Sequence, residues 1–168
     1  ILENFEPSKV IQAIVLAPTR ELALQVAEEM NSLAHGKKIR ITPVYGGQSI
    51  EFQIRQLKKG TDIIVGTPGR VIDLMERKLI KLQDLKYFIL DEADEMLNMG
   101  FVEDIEKILE ATNEDKRMLF FSATMPNEIM KIAKNHMKDY EVLAVKAREL
   151  TTDLTDQIYF EVHEKDKF

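Results

Sequence analysis

Short unbroken apolar runs alternate along this chain with longer stretches in which apolar residues recur every three or four positions. The runs are "AIVLA" (13–17), "DIIVG" (62–66), "YFILD" (87–91), "MLFFSA" (118–123) and "EVLAV" (141–145). They are continuous rather than alternating, as strands covered on both faces require. Between them, "RELALQVAEEMNSLA" places Leu22, Val26, Met30 and Leu33 at helical intervals before Gly36 offers a left-handed stop. "QSIEFQIRQLKKG" does the same with Ile50, Ile54 and Leu57, and "FVEDIEKILEA" with Val102, Ile105 and Leu109. Strand and helix alternation predicts an α/β fold with a mostly parallel sheet and crossover helices. "IRITPVY" (39–45) adds a strand that Pro43, lacking an N–H, pushes toward a sheet edge or a bulge. From about residue 147 the pattern weakens, and 151–168 reads as an exit linker or last edge strand.

Composition narrows the picture. At 168 residues and 45% hydrophobic content, one domain with a substantial core is expected, assigned to 1–150. Basic and acidic residues balance as 23 − 29 = −6, so any nucleic-acid site must be local. The absence of cysteine excludes disulfides and thiolate chemistry, and no stretch approaches the roughly 20 apolar residues of a membrane span. A soluble, cytoplasmic protein is expected. The opening "ILENFEPSKV" carries neither an initiator methionine nor signal-peptide character, and reads as the middle of something longer. His35, His136 and His163 lack metal-ligand spacing and are expected on the surface. Met96, Leu97 and Met99 are expected to pack, and Lys58-Lys59 to close a helix C-terminus.

Reactive groups of open α/β sheets gather at the carboxyl ends of the strands, where loops and helix N-termini present N–H groups to anions. Asp91 follows "FIL" and is a hard oxygen donor suited to Mg²⁺, usually through water, beside nucleotide phosphates. Glu92 is placed to orient or deprotonate an attacking water. The same acidic residues also suit simple capping of the following helix. In "FFSATMP", Ser122 and Thr124 stand at another strand end and can hydrogen-bond a carboxylate such as Asp94. Thr124 also suits the start of the next helix, with Pro126 near its first turn. Three further strand ends carry Pro18, Thr19, Arg20 and Glu21, then Gly46-Gly47, then "GTPGR" from Gly66 to Arg70. Each sets a hydroxyl, free N–H groups or an arginine at a helix start, the means of gripping a sugar-phosphate backbone without reading bases. Singly, Thr67-Pro68 is also an ordinary N-cap and N1 pair, and Gly46-Gly47 an ordinary turn.

In order, PTREL, GG, TPGR, DEAD and SAT make the stretch from about Ile11 to Val145 resemble the N-terminal RecA-like domain of DEAD-box ATP-dependent RNA helicases. The resemblance implies a RecA-like, P-loop NTPase-type three-layer domain and an enzyme that couples ATP hydrolysis to unwinding of short RNA duplexes. Under it Asp91 and Glu92 serve Mg²⁺ and ATP hydrolysis. Asp94 with Ser122, Ala123 and Thr124 couples hydrolysis to strand separation. Pro18, Thr19, Arg20, Gly46, Gly47, Thr67, Pro68, Gly69 and Arg70 contact RNA through its backbone without sequence specificity. The implied partners are RNA and a second RecA-like domain of the same polypeptide, with no membrane.

The chain departs from that pattern at its start. The family's adenine-recognition motif and its G-x-x-x-x-G-K-[ST] phosphate loop precede PTREL, whereas only 17 residues precede Pro18 here, and none of the seven glycines builds such a loop. Charge-assisted hydrogen bonds from such a cradle contribute roughly 1.5 to 3 kcal/mol each. The chain is therefore expected to be an N-terminally truncated piece, inactive alone. Two other classes compete with the helicase reading: a non-catalytic RNA- or protein-binding module, and a metal-dependent phosphohydrolase built on the Asp91 cluster. Intact Glu92 argues against the first, and the idle SAT and TPGR segments argue against the second.

Overall fold

The computed structural model describes residues 1–5, 8, 10–145 and 163. Its strands are β1 (Ala13–Leu16), β2 (Ile41–Val44), β3 (Ile63–Gly66), β4 (Tyr87–Leu90) and β5 (Arg117–Phe120). The helices are α1 (Arg20–Leu33), α2 (Ile50–Lys58), α3 (Pro68–Glu76), α4 (Ala93–Asn98), α5 (Val102–Glu110) and α6 (Asn127–His136), preceded by a short 3₁₀ turn at Leu2–Asn4. The strands join in one parallel sheet in the order β2-β3-β1-β4-β5. Pro43 thus lies on an edge strand, where its missing N–H is tolerated.

Both faces of the sheet are covered, which explains the unbroken apolar runs. Ile14, Leu16, Ile64, Phe88 and Leu90 form one core with buried residues of α3, α5 and α6. Ala13, Val15, Ile63, Val65 and Ile89 form the other, under α1. Period-two alternation in β1 sends successive side chains to opposite cores.

One expectation is refined and two need correction. The inner face of α1 is Ala23 and Ala27, with Leu22, Val26 and Met30 along its flank and Leu33 exposed. Small residues lie on the sheet side, and the larger apolar chains cover the rim. Residues 141–145 form no strand, and Leu143 and Val145 are 85% and 97% exposed. Among the described residues no strand pairs with the outer edge of β5, and an apolar run without a ladder partner cannot hold an extended strand on its own. Met99 is exposed, whereas Met96 is fully buried, because α4 ends in solvent one turn beyond Met96. The segment 151–168 lies outside the described residues, apart from His163.

At the amino edge of the sheet, Asp62 anchors the starts of β2 and β3. Its fully buried carboxylate accepts from the Arg40 N–H and Nε, both at 2.9 Å, from Arg40 Nη2 at 3.1 Å and from the Ser8 N–H at 3.3 Å. At the other edge, Gly66 lets two strands close. A Cβ there would stand 2.5 Å from both the Val44 carbonyl oxygen and Val44 Cγ2. That close approach permits the 3.1 Å bond from the Thr67 N–H to the Val44 carbonyl.

Candidate active site

Strand register sets the site. Leu16 pairs with Gly66 on one side and Leu90 on the other, Gly66 also pairs with Val44, and Leu90 pairs with Phe120. All five strands therefore end level, and their exit loops leave one edge. Along that edge the sheet order places Gly46-Gly47, then Thr67–Arg70, then Pro18–Arg20, then Asp91–Asp94, then Ser122–Thr124. Segments remote in sequence thus become neighbours.

The β4 tip is tied to β1 on one side and to β5 on the other. The Asp91 N–H donates to the Leu16 carbonyl at 2.9 Å, the Phe121 N–H to Leu90 at 2.8 Å, and the Ala93 N–H back to Phe121 at 3.0 Å. Asp94 forms the side-chain latch. Its N–H donates to Ser122 Oγ at 3.0 Å, while its Oδ2 accepts from the Thr124 N–H at 2.8 Å and Thr124 Oγ1 at 2.7 Å. The Ser122 and Thr124 hydroxyls, with the Thr124 N–H, hold the Asp94 carboxyl at about 2, below its usual 3.8. Ala123, exposed between the two hydroxyl residues, makes no side-chain link of its own. Thr124 does not start α6, whose N-cap is Pro126.

Asp91 and Glu92 are different. Among the described residues their carboxylates accept no hydrogen bond and form no salt bridge. Glu92 is exposed and sits at φ 52°, ψ 53°, in the left-handed region, as the N-cap of α4, without a side-chain capping bond. That conformation costs a non-glycine residue about 1–2 kcal/mol. Neither capping nor an ion pair accounts for a glutamate there. Among the described residues no group of three or more His, Cys, Asp or Glu could hold a metal ion. One free strand-tip carboxylate matches instead a hard cation that keeps its waters and binds chiefly through phosphate oxygens.

The other three tips present N–H groups and cations. Pro68 is N1 of α3, and the Gly69 and Arg70 N–H groups at its first turn have no acceptor among the described residues. Thr67, the N-cap, makes no hydroxyl bond among the described residues, whereas Thr19 caps α1 by accepting from the Leu22 N–H at 3.2 Å. Gly46 and Gly47 are exposed, and Gly47 takes φ 75°. Exposed Arg20 lies over the Tyr45 ring at 5.1 Å. Pro18 is buried and shapes the turn rather than facing solvent.

The candidate site residues thus lie on one edge, and the Arg70 guanidinium is turned toward α2. Its Nη1 donates to Gln53 Oε1 at 2.8 Å and its Nη2 to the Gln48 carbonyl at 3.1 Å. Gln53 and Gln48 had not been singled out. The available signal was a polar residue at position 53 on the Ile50, Ile54, Leu57 stripe.

The fold and the sequence are shared with known proteins. The chain is 54% identical over 158 residues to the DEAD-box ATP-dependent RNA helicase CshA of Streptococcus pneumoniae (TIGR4), covering 94% of this chain and 30% of that protein. It is 52% identical over 169 residues to CshA of Bacillus licheniformis, covering 100% of this chain and 35% of that protein. The chain therefore spans about a third of the length of such relatives. The crystal structure of a DEAD box protein from the hyperthermophile Methanococcus jannaschii superposes with a TM-score of 0.79 at 55% identity, covering 83% of this chain and 38% of that one. A hypothetical ATP-dependent RNA helicase from Sulfolobus tokodaii gives 0.73 at 38% identity, covering 78% and 39%. A family model described as DEAD/DEAH box helicase matches residues 1–132, and with these five motifs in spatial order the chain belongs to that family.

Proposed function

We propose that this chain is part of the first RecA-like domain, spanning 1–150, of an ATP-dependent RNA helicase. In this reading the β4 and β5 tips form half of an ATP-hydrolysing site, and the β2, β3 and β1 tips form a track for RNA. The observation that carries the reading is the order along one edge: three N–H-rich tips on one side, and two unpartnered carboxylates with a hydrogen-bonded latch on the other.

Phosphoryl transfer to water asks for positioning and charge stabilisation more than for covalent chemistry. Asp91 is the residue to hold Mg²⁺, through water, and that cation would neutralise charge on the β and γ phosphates. Glu92 projects into solvent from its left-handed cap and serves as the base that orients the attacking water and accepts its proton. Asp94, already ionised and held by Ser122 and Thr124, cannot take that role. It joins the hydrolytic tip to the β5 tip instead, so that displacement of one displaces the other. Thr19, Arg20, Gly46, Gly47, Thr67, Gly69 and Arg70 contact phosphates and 2′-hydroxyls, giving preference for RNA without base readout. The chain contains no G-x-x-x-x-G-K-[ST] run, so the phosphate cradle must come from elsewhere in the polypeptide, as must a second RecA-like domain. Among the described residues no helix is long and apolar enough to cross a membrane, and the proposed setting is the cytoplasm.

The test is ATP turnover by the full-length protein with and without RNA, in wild type and Glu92→Gln. RNA is expected to raise the wild-type rate, and the variant to lose about a hundredfold or more of it while still binding RNA. An unaltered variant would favour a pure binding module.

A further inference from the structure

We propose that Gln53 is a positioning residue for nucleic-acid capture: its buried side-chain amide joins the Gly46-Gly47 turn and Arg70 into one rigid unit. The inference rests on the reading of those tips as an RNA track, and adds a residue that touches no RNA yet sets how tightly the track binds.

Gln53 lies on the inner face of α2 and is 1% exposed. Its Nε2 donates to the Tyr45 carbonyl at 2.9 Å and to Gln48 Oε1 at 2.9 Å, and its Oε1 accepts from Arg70 Nη1 at 2.8 Å. The amide can face only one way, because a guanidinium has donors alone and a carbonyl accepts alone. Arg70 completes the ring by donating to the Gln48 carbonyl. Tyr45 and Gln48 are the residues immediately flanking Gly46-Gly47, so the turn is held at both ends while its own N–H groups meet no acceptor among the described residues. The same tie reaches the first turn of α3, where the Gly69 and Arg70 N–H groups likewise meet none. Through the Tyr45 ring it extends to Arg20 at the β1 tip.

Core packing does not call for this residue. Its neighbours on the stripe, Ile50, Ile54 and Leu57, are aliphatic, and an aliphatic residue would bury there without desolvating an amide. A fully satisfied buried polar network instead fixes one arrangement of the groups it connects. Preorganised loops bind more tightly because less freedom is lost on association. The guanidinium of Arg70 therefore acts inward, and its contribution to RNA comes through its N–H and the turn it holds.

Two readouts on the full-length protein test this. With glycine-selective ¹⁵N labelling and no RNA, Gln53→Met is expected to shift or broaden Gly46, Gly47 and Gly69 together. A response confined to one loop would overturn the rigid unit, whether or not RNA binds there. In RNA-stimulated ATP hydrolysis, Gln53→Met and Gln53→Glu are expected to raise the RNA concentration for half-maximal stimulation about tenfold, with the saturated rate retained. Gln48→Ala, a milder change at a more accessible site, should raise it about threefold and covers the case in which the Gln53 variants fold poorly. Arg70→Met should weaken RNA binding without changing its salt dependence, whereas a direct phosphate contact would lower the slope by about 0.7. An unchanged RNA requirement in a folded Gln53→Met protein, or a reduced slope for Arg70→Met, would overturn the inference. If RNA fails to stimulate even the wild type, the RNA-track reading fails, while the glycine spectra still judge the rigid unit.

Discussion

Replacing Glu92 with glycine separates a functional residue from a structural one. Glu92 occupies φ 52°, ψ 53°, is exposed, and makes neither a capping bond nor an ion pair among the described residues. The left-handed conformation costs an L-residue about 1–2 kcal/mol and glycine almost nothing. Glycine loses more unfolded-state freedom on folding, about 0.5–1 kcal/mol, which offsets part of the relief. The net expectation is a gain of about 0.5–1 kcal/mol, or roughly 1–4 °C in Tm for a domain of this size. ATP turnover in the full-length protein should fall by about a hundredfold or more. Thermal unfolding followed by circular dichroism and a phosphate-release assay give the two numbers on one sample. A variant that is both less stable and less active would mean that the glutamate side chain supports α4, and Glu92 would then be structural.

The other predictions concern what holds the edge in place. Gly66→Ala would put a methyl group 2.5 Å from the Val44 carbonyl oxygen, and should cost about 1–3 kcal/mol in urea unfolding and weaken RNA binding by displacing Thr67. Thr124→Val removes the 2.7 Å hydroxyl bond to Asp94 and should cost about 1 kcal/mol at neutral pH, allowing for solvent screening at this accessible corner. Because the folded Asp94 carboxyl is held at about 2 against 3.8, its contribution is complete above 3.8 and is lost as pH falls from 3.8 toward 2. The stability gap between wild type and Thr124→Val should close across that window, as measured by denaturant unfolding at a series of pH values. Arg40→Met leaves the fully buried Asp62 carboxylate with only N–H partners and should cost about 2 kcal/mol of stability, below the usual loss for a broken buried pair because Arg40 is itself 44% exposed.

Continuous apolar runs fixed the sheet because burial on both faces leaves a direct trace in sequence. The motifs at the run ends then gather at one edge, since parallel strands of equal register must release their loops on the same side. Pro43 correctly implied an edge. What periodicity could not supply was partnership. "EVLAV" has the composition of a strand but no neighbour among the described residues, and pairing is a property of the sheet rather than of the run. Of the α1 stripe, Leu22, Val26 and Met30 pack on the core and Leu33 does not, while Ala23 and Ala27, nearest the sheet, carry too little hydrophobic weight to stand out in the sequence. The sequence shows Arg70 at a helix start but not what its side chain bonds to; Gln53 and Gln48 become its partners only once α2 and α3 are brought together.

If one edge of the sheet carries both the hydrolytic half-site and the RNA track, photocrosslinking of a short single-stranded RNA to the full-length protein, with the modified peptides mapped by mass spectrometry, will find it there. Adducts within 18–20, 46–48 and 67–70 are predicted. Adducts concentrated at the opposite edge, around Lys86 and Arg117 at the starts of β4 and β5, would place the RNA away from the Asp91 and Glu92 tip and rule this arrangement out.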